Sequence, residues 1–145
     1  MAKTTDPKVV IIVDDELHNM TWMVDYLESE ELVVEVSSNA NEALEAINGR
    51  VCRALIVDLN IPVLPPLEDA VSGKGPVYAQ YPGLYIAQAA RNIGYRDRQV
   101  IIYSVHKDPT VAEEARRLGC TYILKGRPRE IKQELLAVLA FDPTA

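Results

Sequence analysis

The sequence predicts an α/β fold, a parallel sheet with helices on both faces. Three observations carry that prediction. Apolar runs alternate with amphipathic segments, so the order is β-α five times over. The runs are continuous Val, Ile and Leu, which marks strands buried on both sides. Right-handed crossovers between such strands distribute the helices to the two faces of the sheet. A length of 145 residues suits one domain, expected over 1–145 with its core in 8–140.

The first run is Val9 to Val13, closed by Asp14 and Asp15. Met20, Met23, Val24 and Leu27 then recur at helical spacing, one face of a helix beginning near Leu17. Leu32 to Val36 reads as the second strand. Ala40, Ala43, Leu44 and Ile47 mark the second helix, with Gly49 as its stop. Ala54 to Val57 is the third strand, closed by Asp58. The rhythm then breaks. Residues 60–82 hold five of the nine prolines and two of the seven glycines, and read as one long loop. Helical spacing resumes at Ile86, Ala90 and Ile93, stopped by Gly94. Val100 to Tyr103 is a strand closed by Ser104. Val111, Ala115 and Leu118 mark a helix ended by Gly119. Tyr122 to Leu124 is the last strand, closed by Lys125, and Ile131, Leu135, Val138 and Leu139 form the stripe of a final helix.

Composition excludes several classes. The formal net charge of −6 argues against direct nucleic-acid binding, which needs clustered Lys and Arg. No apolar run approaches the roughly 18 residues of a membrane span, so no membrane insertion is expected. The opening MAKTTDPK lacks the apolar core of a secretory signal, which points to a cytoplasmic protein. Cys52 and Cys120 are too few for a disulfide framework or a four-ligand zinc site.

All strands of a parallel sheet end at one edge, and ligands of open α/β sheets bind outside that edge. Asp14, Asp15, Asp58, Ser104 and Lys125 therefore converge. Two carboxylates about 5 Å apart repel by about 3 kcal/mol at an effective dielectric of about 20. Three in one cleft require positive charge. Lys125 supplies one unit, and a hard divalent ion such as Mg²⁺, held by oxygens, supplies the rest. A simpler role for Asp14 and Asp15, capping the helix near Leu17, leaves Asp58 and Lys125 unexplained.

In order, Asp14-Asp15-Glu16, Asp58-Leu59-Asn60-Ile61-Pro62, Ser104 and Tyr122-Ile123-Leu124-Lys125 resemble the receiver domain of two-component response regulators, over residues 8–140. The resemblance implies a doubly wound five-stranded sheet of flavodoxin-like order 2-1-3-4-5. It implies that Asp58 is the phospho-acceptor, taking a phosphoryl group from a phosphohistidine of a histidine kinase or histidine phosphotransfer protein. Mg²⁺ or Mn²⁺ would be held by Asp14, Asp15, Asp58 and the backbone carbonyl of Asn60. Ser104 and Lys125 would contact the phosphoryl group, and Tyr122 would be the switch aromatic. Such a module is not an enzyme toward other substrates. It catalyses only its own phosphorylation and dephosphorylation, and it switches binding to a downstream protein. No output domain is expected after Ala140, so the protein either docks alone or belongs to a longer regulator.

The chain departs from the family pattern at four places. Gly126 follows Lys125 where the family usually has proline. Val105 follows Ser104 where a small residue is usual, and would narrow access to the site. Asn60 and His106 occupy two positions that tune hydrolysis; His106 is otherwise a pH-sensitive or simply exposed loop residue. The 60–82 loop, with Tyr78 and Tyr81, is unusually long: it either folds over the acidic cleft, offers a partner surface, or is a variable loop without a role. Tyr122 is otherwise a strand aromatic packed under the last helix. The competing function is a receiver-like interaction module that works without phosphorylation, through this loop or the outer helices. A dehalogenase-type hydrolase would need a second acid two residues after Asp58, and Asn60 stands there.

Overall fold

The five apolar runs form one sheet. In this computed structural model, which describes residues 3–145, the strands are β1 (Asp6–Val13), β2 (Val33–Ser37), β3 (Cys52–Val57), β4 (Val100–Ser104) and β5 (Thr121–Leu124). All pair in parallel, in the order β2-β1-β3-β4-β5. Met1 and Ala2, the first residues of the expected 1–145 domain and of the MAKTTDPK segment, lie outside the described residues.

Successive side chains of a strand point to opposite faces, and the core divides accordingly. Ile11, Val13, Leu55, Val57, Val100 and Ile102 pack against α2 (Ala40–Ile47), then α5 (Gly83–Ile93) and α6 (Pro109–Leu118), whose numbers follow chain order. Val10, Ile12, Ala54, Ile56 and Ile101 pack against α1 (Thr21–Ser29) and α7 (Pro128–Ala140). The helical stripes read from the sequence are the buried ones: Met23 and Leu27, Ala43 and Ile47, Ile86 and Ala90, Val111 and Ala115, Ile131 and Leu135. Each fully buried Leu or Ile contributes about 1.5–3 kcal/mol. Cys52 is buried, Cys120 partly so, and both are free.

Two expectations are corrected. The chain after β1 does not enter an α-helix near Leu17. It makes a 3-10 turn over Leu17–Met20 with no side-chain cap, and α1 begins at Thr21. The 60–82 segment is not one loop, because it holds two short helices, α3 (Leu67–Ser72) and α4 (Pro76–Gln80). Glu68 and Asp69 favour the first turn of α3, and Pro76 opens α4 where its missing N–H costs nothing. Val71, Tyr78 and Tyr81 are buried, so the insertion joins the core on the α5 and α6 side. Its start is tied to α2 as well: Asn41 exchanges hydrogen bonds with the Leu64 backbone, at 3.2 and 2.8 Å.

Candidate functional site

Backbone pairing continues past the strands and fixes the residues of one rim. The Asp14 N–H donates to the Ser37 carbonyl (3.0 Å), that of Asp58 to Val13 (2.9 Å) and that of Lys125 to Ser104 (2.8 Å). These bonds bring Asp14, Asp58, Ser104 and Lys125 together, as the strand ends predict.

The acids and the lysine meet directly. Asp14 is buried; its Oδ1 accepts from the Glu16 N–H at 2.8 Å and its Oδ2 from Lys125 Nζ at 2.7 Å. The same Nζ lies 3.5 Å from Asp58 Oδ2, while Asp58 Oδ1 accepts from the Leu59 N–H at 2.8 Å. One oxygen from each of Asp14, Asp15 and Asp58 lies within 4.8 Å of the others. Asp15 is exposed and Asp58 half-buried, so the cleft opens to solvent from the Asp15 side. The capping role for Asp14 does not hold, since its oxygens serve a two-residue turn and the lysine.

Burial pushes the Asp58 carboxyl above the usual carboxylate range; Lys125 and a hydrogen bond from Ser104 pull it back, and Asp14 adds to the rise. Burial disfavours the charge on Lys125, yet the Asp14 hydrogen bond and the Asp58 carboxylate outweigh it, and its pKa lies above that of an ordinary lysine. The ammonium is therefore a permanent counter-charge at the rim.

Ser104 is fully buried and its Oγ accepts from the His106 N–H at 3.3 Å. Val105, which follows Ser104, is 69% exposed. Asn60 is exposed just beyond Asp58. Tyr122 is half-buried, and its hydroxyl donates to the His106 carbonyl. Its ring packs with the α6-side cluster rather than under α7, which corrects that alternative. Among the described residues the only cis peptide is Pro65–Pro66, so Lys125–Gly126 is trans; Gly126 has φ +92°, a conformation that favours glycine.

Solved structures of the same shape are numerous. The receiver domain of HemR from Leptospira biflexa superposes with a TM-score of 0.71 at 14% identity, covering 97% of this chain and 99% of the other. A CheY-like receiver domain protein from Methanospirillum hungatei gives 0.69 at 20% identity, covering 93% and 95%. The beryllofluoride-activated receiver domain of RstA from Klebsiella pneumoniae gives 0.68 at 16%, covering 92% and 99%. The fold is that of a response-regulator receiver domain. No protein-family model matches the sequence, and no curated protein does.

Within this receiver fold, sequence reasoning assigned no partners to Tyr78 and Tyr81. The structure supplies them. The Tyr81 hydroxyl donates to Asp108 Oδ2 at 3.1 Å, and the Tyr78 hydroxyl donates to Glu114 of α6. The one signal in the sequence is two tyrosines in a Pro- and Gly-rich stretch whose polar middle, Glu68 to Lys74, does not suggest burial.

Proposed function

We propose that residues 8–140 act as a phospho-accepting receiver module in a two-component relay, with Asp58 as the acceptor. The observation that carries this reading is the gathering of three carboxylates and one ammonium at a single rim of a receiver fold. A carboxylate is a competent nucleophile for phosphorus. An Asp58 oxygen forms the new O–P bond as the P–N bond of a phosphohistidine breaks, and the departing imidazole keeps the electron pair and takes a proton. Lys125 and the Ser104 hydroxyl border Asp58 and would meet the phosphoryl oxygens.

The donor set suits a hard divalent ion: three anionic oxygens within reach of one another, opposed by a single lysine. Asp14, Asp15 and Asp58 would hold Mg²⁺ or Mn²⁺ together with the Asn60 carbonyl, and the bound ion supplies charge that offsets the phosphoryl oxygens. Tyr122, bonded to the segment after Ser104, would report the state of the site to the α6 and β5 surface. The donor would be a histidine kinase or a histidine phosphotransfer protein of the cytoplasm, and the output a change in affinity for a downstream protein.

Incubation with acetyl phosphate and Mg²⁺, followed by intact mass, tests the reading. One phosphoryl group per chain, absent from Asp58→Asn, is expected. A wild-type chain that stays unlabelled would leave the phosphorylation-independent module in its place. Removal of residues 65–80 tests whether the insertion takes part in phosphotransfer or partner binding.

A further inference from the structure

The insertion and the rim share one segment, residues 104–108. Tyr81 follows α4 directly and is buried. Its hydroxyl donates to Asp108 Oδ2 at 3.1 Å, and its ring centre lies 5.4 Å from that of His106. Tyr78 ties α4 to α6, donating to Glu114, which is itself paired with Arg117 at 2.6 Å. From the other side the same segment is held by the Tyr122 hydroxyl at the His106 carbonyl and by the His106 N–H on Ser104 Oγ. The insertion is equally fixed where it returns to the sheet, since the Gly83 N–H donates to the Leu59 carbonyl at 2.9 Å. One strap therefore runs from the neighbour of Asp58 to the segment that follows Ser104.

A phosphoryl group on Asp58 would draw on the Ser104 hydroxyl, which bonds Asp58 and accepts the His106 N–H in the arrangement seen, and so would act on segment 104–108 through that bond. The Tyr81 contacts are satisfied in the arrangement seen, and contacts made in one state only shift the balance toward that state. We propose that Tyr81 is a positioning residue. Through Asp108 and His106 it holds the β4–α6 segment at rest and thereby opposes occupation of the Asp58 site. This rests on the reading of Asp58 as phospho-acceptor.

The test uses the full chain and two substitutions. Tyr81→Phe removes only the hydroxyl and keeps the buried ring. Asp108→Asn keeps a good N-cap for α6 while changing the acceptor. Beryllofluoride with Mg²⁺ is titrated into each, and amide hydrogen exchange over 104–112 is followed without it. Faster exchange and roughly tenfold tighter beryllofluoride binding are expected for Tyr81→Phe, the lower end of what one hydrogen bond to a charged acceptor is worth. The double variant should gain no more than Tyr81→Phe alone, because Asp108→Asn weakens the same charge-assisted bond that Tyr81→Phe removes. A merely structural tyrosine would lower the thermal midpoint without tightening binding, and that result overturns the proposal. So does unchanged exchange. A wild-type chain that binds no beryllofluoride overturns the phospho-acceptor reading and the proposal with it; equal binding by wild type and Tyr81→Phe overturns the proposal alone.

Discussion

At position 83 a methyl group has nowhere to go. A Cβ there would run into the Asp58 carbonyl oxygen and stand 2.8 Å from Leu59 Cα. Gly83→Ala must push backbone against backbone at the residue that carries the central carboxylate. The expected loss is about 1–3 kcal/mol, read from the denaturant midpoint, with labelling of Asp58 falling alongside. Lys125→Ala acts through charge instead. It leaves Asp14, whose side chain is 2% exposed, without its cation, and stability should drop by about 3 kcal/mol in thermal denaturation. Lys125→Met, which keeps the length without the charge, should lose about as much. These rim residues could be read from the sequence because the end of an apolar run is a local signal. The pairs Tyr81–Asp108 and Tyr78–Glu114 could not, since 27 and 36 residues separate their members and no spacing rule joins them.

Secondary structure was readable in proportion to length. The helices of eight residues or more repeat their apolar face at least twice, and each was anticipated from that repeat. Helices α3 and α4, of six and five residues, are too short to show a period, and their prolines read as loop. Helix α6 gives a pH-dependent prediction. The hydrogen bond from Arg117 leads in holding the Glu114 carboxyl at about 2, below its ordinary 4.5, with the Tyr78 hydroxyl assisting against burial. Between those values the unfolded chain binds more protons than the folded one, so stability rises with pH across that range. Glu114→Gln should cost about 1 kcal/mol at neutral pH. Its stability curve should approach that of the wild type as pH falls from the ordinary value toward 2.

Over the whole chain, helices on both faces follow from β-α alternation and the handedness of crossovers, the order β2-β1-β3-β4-β5 is the one the family resemblance implies, and nothing in the insertion disturbs it. On the proposed function, the three acids on one rim would hold a divalent cation in the folded molecule. Binding to the folded state alone stabilises by about 2.7 kcal/mol at a hundredfold excess over Kd. The thermal midpoint should therefore climb by several degrees with Mg²⁺ in the wild type and stay level in Asp15→Asn, which scanning calorimetry would resolve. Finally, the excursion that carries α3 and α4 leaves just after Leu59 and comes back to its carbonyl at Gly83. A detour with so narrow a mouth can be gained or dropped in descent without stretching the sheet. Cousins of this chain should accordingly differ by its outright presence or absence, and those that keep it should keep a glycine at the point of return.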